Sequence, residues 1–78
     1  MNTIDLTEVL LEPQIKIEVG ELACDFFEGA EEIGSSDMGF CMRSICANLN
    51  FPDLEEFSAG QRQMLMYMIR VGLNKNNQ

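Results

Sequence analysis

The apolar residues of this chain recur with two different periods. Ile4 and Leu6 alternate with Asp5 and Thr7, and Ile15, Ile17 and Val19 alternate with Lys16 and Glu18. A period of two marks a half-buried strand. Residues 14–19 therefore read as a strand and 3–10 as a second, with Glu12-Pro13 as the turn of a small antiparallel pair. A competing reading gives Val9, Leu10 and Leu11 to a short helix that Pro13 ends. From Gly20 the period lengthens. Leu22, Ala23, Phe26, Phe27, Ala30 and Ile33 fall on one side of a helix over 20–33, and Glu21, Asp25, Glu28 and Glu32 fall on the other. Gly34-Ser35-Ser36 ends that helix.

A second helix is expected over 37–49, capped by Ser36 or Asp37. Met38, Cys41, Met42, Ile45 and Leu49 form its apolar stripe, with Cys46 at the flank. Asn48, Asn50 and Pro52 mark its end. Leu54 and Phe57 belong to a loop that tucks onto the core. A third helix is expected over 58–73. Ser58 and Gln61 have the Ser-x-x-Gln spacing of a capping box, in which each side chain satisfies a free backbone N–H. Met64, Leu65, Met66, Tyr67, Met68 and Ile69 then follow without a break. At about 100° per residue, six in a row cover the whole circumference. Met64, Tyr67, Met68 and Val71 share one face with Leu65 and Ile69 beside it. Met66 and Leu73 point the other way, near Arg62 and Arg70. The expected fold is α-rich (α+β): three helices with a small N-terminal β element in one domain. Residues 1–19 are short strands or loop, 20–73 the helical core, and 74–78 a frayed tail.

The 78 residues carry a net charge of −8, distributed unevenly. Residues 1–37 hold ten acids and one base, Lys16, whereas 38–78 hold three acids and four bases. Such an acidic half repels phosphates and argues against direct nucleic-acid binding. It favours a basic partner surface or simple solubility. No apolar run approaches the roughly 20 residues of a membrane span. The N-terminus lacks a basic segment before an apolar one, so no signal peptide is expected and the cytoplasm is the expected compartment. Cys24, Cys41 and Cys46 read as free thiols acting as small buried hydrophobes. Their spacing and the lack of histidine argue against a metal site.

The chemistry-bearing residues do not suggest an enzyme. Without histidine the commonest general acid–base is missing, and a cysteine nucleophile lacks its usual base. The glycines are scattered and form no phosphate loop, so no cofactor is expected. The acids Glu21, Asp25, Glu28 and Glu32 span about 16 Å of helix. They read either as a solvated face or as a docking surface for a basic patch on another protein. Met66 and Leu73, flanked by Arg62 and Arg70, are the candidates for an exposed apolar patch, used for partner binding or for a homodimer.

Two resemblances bear on function. Length, acidity and helix count resemble acyl carrier proteins, but those have Asp-Ser-Leu at a helix start. Here the order is Ser35-Ser36-Asp37-Met38, which departs from that pattern at the attachment serine. The second covers about residues 20–70. It rests on the acidic Leu22-Ala23-x-x-Phe26-Phe27 helix, the amphipathic segment Phe40 to Ile45, and Gly60-Gln61-Arg62-Gln63-Met64 opening the last helix. In these features the chain is similar to small accessory proteins of phages and prophages. That similarity implies a protein that binds and disables a host complex with a basic surface, such as a CRISPR effector or restriction enzyme, in the host cytoplasm. It implies no catalytic residues.

Overall fold

The computed structural model describes residues 6–27 and 34–76, and among them there is no strand. Four helices follow one another: α1 (Leu6–Leu11), α2 (Pro13–Phe26), α3 (Ser35–Asn48) and α4 (Ala59–Asn76), with a single 3-10 turn at Leu54–Glu56 between the last two. The α-rich expectation holds. The strand expected at 14–19 is instead the first half of α2, and 6–10 take the helical alternative. Residues 3–5 lie outside the described residues.

The helical register explains the correction. Ile15, Val19, Leu22 and Ala23 sit at helical spacing, and all are buried or half-buried against the core. Ile17 is the residue that made the pattern look alternating, and it projects from the helix as an exposed apolar side chain. Pro13 stands at the first turn of α2, where its missing N–H costs nothing. It also biases Glu12 to the extended backbone seen there (φ −67°, ψ 130°), which separates α1 from α2. The first long helix therefore starts at Pro13, not Gly20. It ends at Phe26, with the Phe27 N–H donating to the Ala23 carbonyl; residues 28–33 of the expected helix lie outside the described residues.

α3 follows the expected stripe closely. Met38, Cys41, Met42, Ile45 and Cys46 are all buried. Its N-cap is Gly34, not Ser36 or Asp37. At its end Asn50 adopts φ 57°, the left-handed conformation that asparagine tolerates. This turns the chain so that the Phe51 N–H donates to the Cys46 carbonyl at 2.9 Å. Phe57 is buried, and its ring lies 6.5 Å from that of Phe51.

The capping box at the head of α4 is fully made. The Gln61 N–H donates to Ser58 Oγ (3.1 Å), and the Ser58 N–H donates to Gln61 Oε1 (2.9 Å). Gln61 Nε2 also donates to Thr7 Oγ1 (3.2 Å), tying α4 to α1. The helix continues through Asn76, so residues 74–76 of the expected tail are helical. Leu6 and Leu10 from α1, Val19 and Ala23 from α2, Ile45 with its neighbours from α3, and Leu65, Met68 and Ile69 from α4 meet in one core. Fully burying each large aliphatic side chain contributes about 1.5–3 kcal/mol relative to leaving it exposed.

Candidate functional site

The contact that orients α4 is made by backbone, not by a side chain. Gly20 in α2 and Gly72 in α4 touch directly. A Cβ on Gly72 would overlap the Gly20 Cα and lie 3.2 Å from its carbonyl carbon and oxygen. Glycine permits this approach because it presents nothing beyond Cα. The Cys24 thiol donates to the Gly72 carbonyl at 3.5 Å beside the same crossing. Gly72 thereby faces α2, and Leu65, Met68 and Ile69, which share its side of α4, become the buried residues.

This places the core face roughly 100° round the helix from the face expected from sequence. Tyr67 and Val71, expected inside, are 68% and 40% exposed. Met66 and Leu73, expected uncovered, are half-buried and pack against the core. The arginines beside them differ in role. Arg62 Nε and Nη2 donate to the carbonyls of Leu54 and Glu55 (3.3 and 3.4 Å), pinning the 3-10 turn to α4. Arg70 is exposed.

A groove runs along the α2–α4 contact, with Gly20 and Gly72 in its lining. Lys16 and Ile17 line one side of the opening and Met64, Tyr67 and Met68 the other, with Leu10 and Leu11 contributed by α1. The result is an open groove of about 660 Å³. Leu10 and Met68 are buried in its floor. Leu11 (56% exposed), Ile17 (54%), Tyr67 and Val71 form its lips. Four exposed large apolar residues round one concavity are what a protein surface presents where something docks.

The two rims differ in charge. On the α2 side the groove is lined by Lys16 and, about one turn later, by Glu21, with Asp25 a further turn along; all three are exposed. On α4, Arg70 follows the Tyr67 lip on the side away from the groove. Glu28 and Glu32, the other half of the expected acidic stripe, lie outside the described residues. Among the described residues the ion pair is Arg43–Glu55 (3.9 Å), between two exposed side chains remote from the groove. An exposed pair of that kind contributes about 0–1 kcal/mol.

The remaining chemistry is quiet. Burial pushes the Cys41 thiol up to about 11. Burial, helped by the negative charge of Asp53, raises that of Cys46 as well. Both thiols stay protonated near neutrality, and the thiolate is the reactive form. Cys24, Cys41 and Cys46 are free. Among the described residues no group of three potential ligands could hold a metal ion, and no helix is long and apolar enough to cross a membrane. Ser36 is exposed in the first turn of α3.

Among the described residues, fold and site together define a small helical protein with an apolar groove whose α2 rim carries Lys16 and Glu21. In comparisons with known proteins, no family model, no curated protein and no solved structure matches it. Of the residues singled out from sequence, Glu21 lines the groove, and Asp25 and Arg70 stand beside it. Met66, Leu73 and Arg62 serve packing. Leu11, Ile17, Tyr67 and Val71 were missed as surface residues, because apolar residues in a periodic pattern are assigned to the core by default. The available signal was Gly20 with Gly72: a glycine inside each of two helices marks the face where backbones can meet.

Proposed function

We propose that this chain acts by binding another protein, and that its docking face is the groove together with the α2 rim of Lys16, Glu21 and Asp25. The observation that carries this is the cluster of Leu11, Ile17, Tyr67 and Val71, exposed round one concavity and bordered by Glu21. A matching partner presents an apolar ridge flanked by basic side chains. Binding is favoured over catalysis by the lack of histidine and by cysteines at 41 and 46 that are buried and protonated. The resemblance to phage accessory proteins supports a host nucleic-acid-handling defence complex as the partner. The acidic N-terminal half supports it too, since such complexes carry basic surfaces. Three free cysteines suit a cytoplasmic setting.

Affinity capture from a bacterial lysate tests this, using the tagged chain, the groove variant Ile17→Glu/Val71→Glu and the rim variant Glu21→Lys/Asp25→Lys. The expected result is one defined complex captured by the parent and lost with both variants. Capture of the same set of proteins by all three baits would remove the groove and its rim from the function.

A further inference from the structure

Resting on the reading of the groove as a protein-docking face, we propose that in the free protein, away from that partner, its occupant is a second copy of this chain. The ridge that fits the groove is on the molecule itself. Tyr67 and Val71 project from α4 as an exposed apolar ridge, with the groove on one side and Arg70 on the other. In a two-fold dimer the same patch is used by both copies. Let the ridge of one copy enter the groove of the other, with the two α4 helices antiparallel. Symmetry then decides what lies on each side of that ridge. Its groove side faces the other copy's α4, which enters it in turn. Its Arg70 side must therefore face the other copy's α2.

That wall carries Glu21 at the groove, with Asp25 a turn beyond it and Lys16 a turn before it. The arrangement pairs Arg70 of each copy with Glu21 of the other, twice per dimer. It covers Tyr67 and Val71 against Leu11 and Ile17. The charges of the two helices support the pairing: α2 carries Glu18, Glu21 and Asp25 against Lys16, whereas α4 carries Arg62, Arg70 and Lys75 and no acid. Helix α4 of one copy against α2 of the other sets the two kinds of charge face to face. The reverse pairing, α2 on α2, would oppose acid to acid.

Sedimentation velocity across a dilution series, on the full chain, tests the proposal. The expected species is a dimer that dissociates on dilution. Ile17→Glu and Val71→Glu, both at exposed positions, should give monomers with the helical circular-dichroism spectrum retained. Arg70→Glu and Glu21→Arg should each raise the dissociation constant at least about fivefold, since each reversal is made twice in the dimer. The double variant Arg70→Glu/Glu21→Arg should return it to within about threefold of the parent, because the pair is restored with its sign exchanged. A parent that stays monomeric at several hundred micromolar overturns the proposal. So does a dimer indifferent to Ile17→Glu, or a charge exchange that fails to rescue. A monomer whose lysate capture is still lost with groove variants would overturn the self-pairing while leaving the docking-face reading intact.

Discussion

Replacing Gly72 with alanine should destabilise this protein, although by helix propensity alone it should stabilise it. In a helix interior alanine is favoured over glycine by about 0.8–1 kcal/mol. Against that stands the crossing with α2. The added Cβ would overlap the Gly20 Cα and lie 3.2 Å from both its carbonyl carbon and oxygen. A methyl group cannot rotate away, and what it meets is backbone, so the two helices must part. Parting them lifts Gly72 from α2 and loosens Leu65, Met68 and Ile69, which are buried on the same side of α4. Overpacking of this kind costs typically about 1–3 kcal/mol. A domain of this size has about 4–12 kcal/mol of stability in all. Less the propensity gain, a net loss of up to about 2 kcal/mol remains, and at about 4–8 °C per kcal/mol the expected fall in Tm is up to about 15 °C. Gly20→Ala is the internal control. Its Cβ would meet one atom, the Gly72 Cα, at 3.3 Å, which a shift of a few tenths of an ångström relieves. That strain roughly offsets the propensity gain, so Gly20→Ala should lie within about 1 kcal/mol of the parent. Thermal melts followed by circular dichroism at 222 nm decide the matter. If Gly72→Ala melts at or above the parent temperature, the helices do not touch there and the account of how α4 is oriented fails.

Ser58→Ala removes the hydroxyl that accepts the Gln61 N–H and should cost about 1 kcal/mol, read as a lower urea midpoint at unchanged slope. Stability should also fall on the alkaline side. The Cys41 thiol ionises near its ordinary value of 9.0 when unfolded but only about 11 when folded, so its contribution is intact below pH 9 and is lost as pH rises toward 11. Cys46, raised in the same direction, adds to this loss. Urea midpoints at pH 8 and pH 10.5 should show the decline, and Cys41→Ala, though less stable at pH 8, should decline less steeply. With a thiol reagent at neutral pH, half-buried Cys24 should react at least about tenfold faster than buried Cys41 and Cys46; equal rates would mean that α3 opens as readily as the crossing.

Much of the helical framework was legible because its signals are local. Ser58 and Gln61 at capping-box spacing start α4 with both expected hydrogen bonds in place. Asn48, Asn50 and Pro52 end α3, with Asn50 supplying the left-handed turn. Residues 14–19 were misread because Ile15, Ile17 and Val19 satisfy two periods at once. Three residues at spacing two also place the first and third on one helical face, and only the continuation into Leu22 and Ala23 separates the readings. Gly20 then looked like a boundary when it is a helix-interior contact. The surface was less legible than the fold. Six unbroken apolar residues in α4 carry no phase of their own, so the face read as inward, Met64, Tyr67, Met68 and Val71, lies roughly 100° from the buried one. The phase is set by Gly72, a residue with no side chain to count, and by its partner 52 positions earlier, Gly20. The lips of the groove follow from that one contact.

Tyr67 gives the groove a property independent of what occupies it. The chain has one tyrosine and no tryptophan. Its absorbance near 280 nm, and the emission excited at that wavelength, therefore arise from a single ring, and that ring stands exposed on the lip. Covering the groove changes the solvent round the only chromophore that reports at those wavelengths. The parent protein is thus its own optical sensor for that surface, with no label attached and no core signal to subtract.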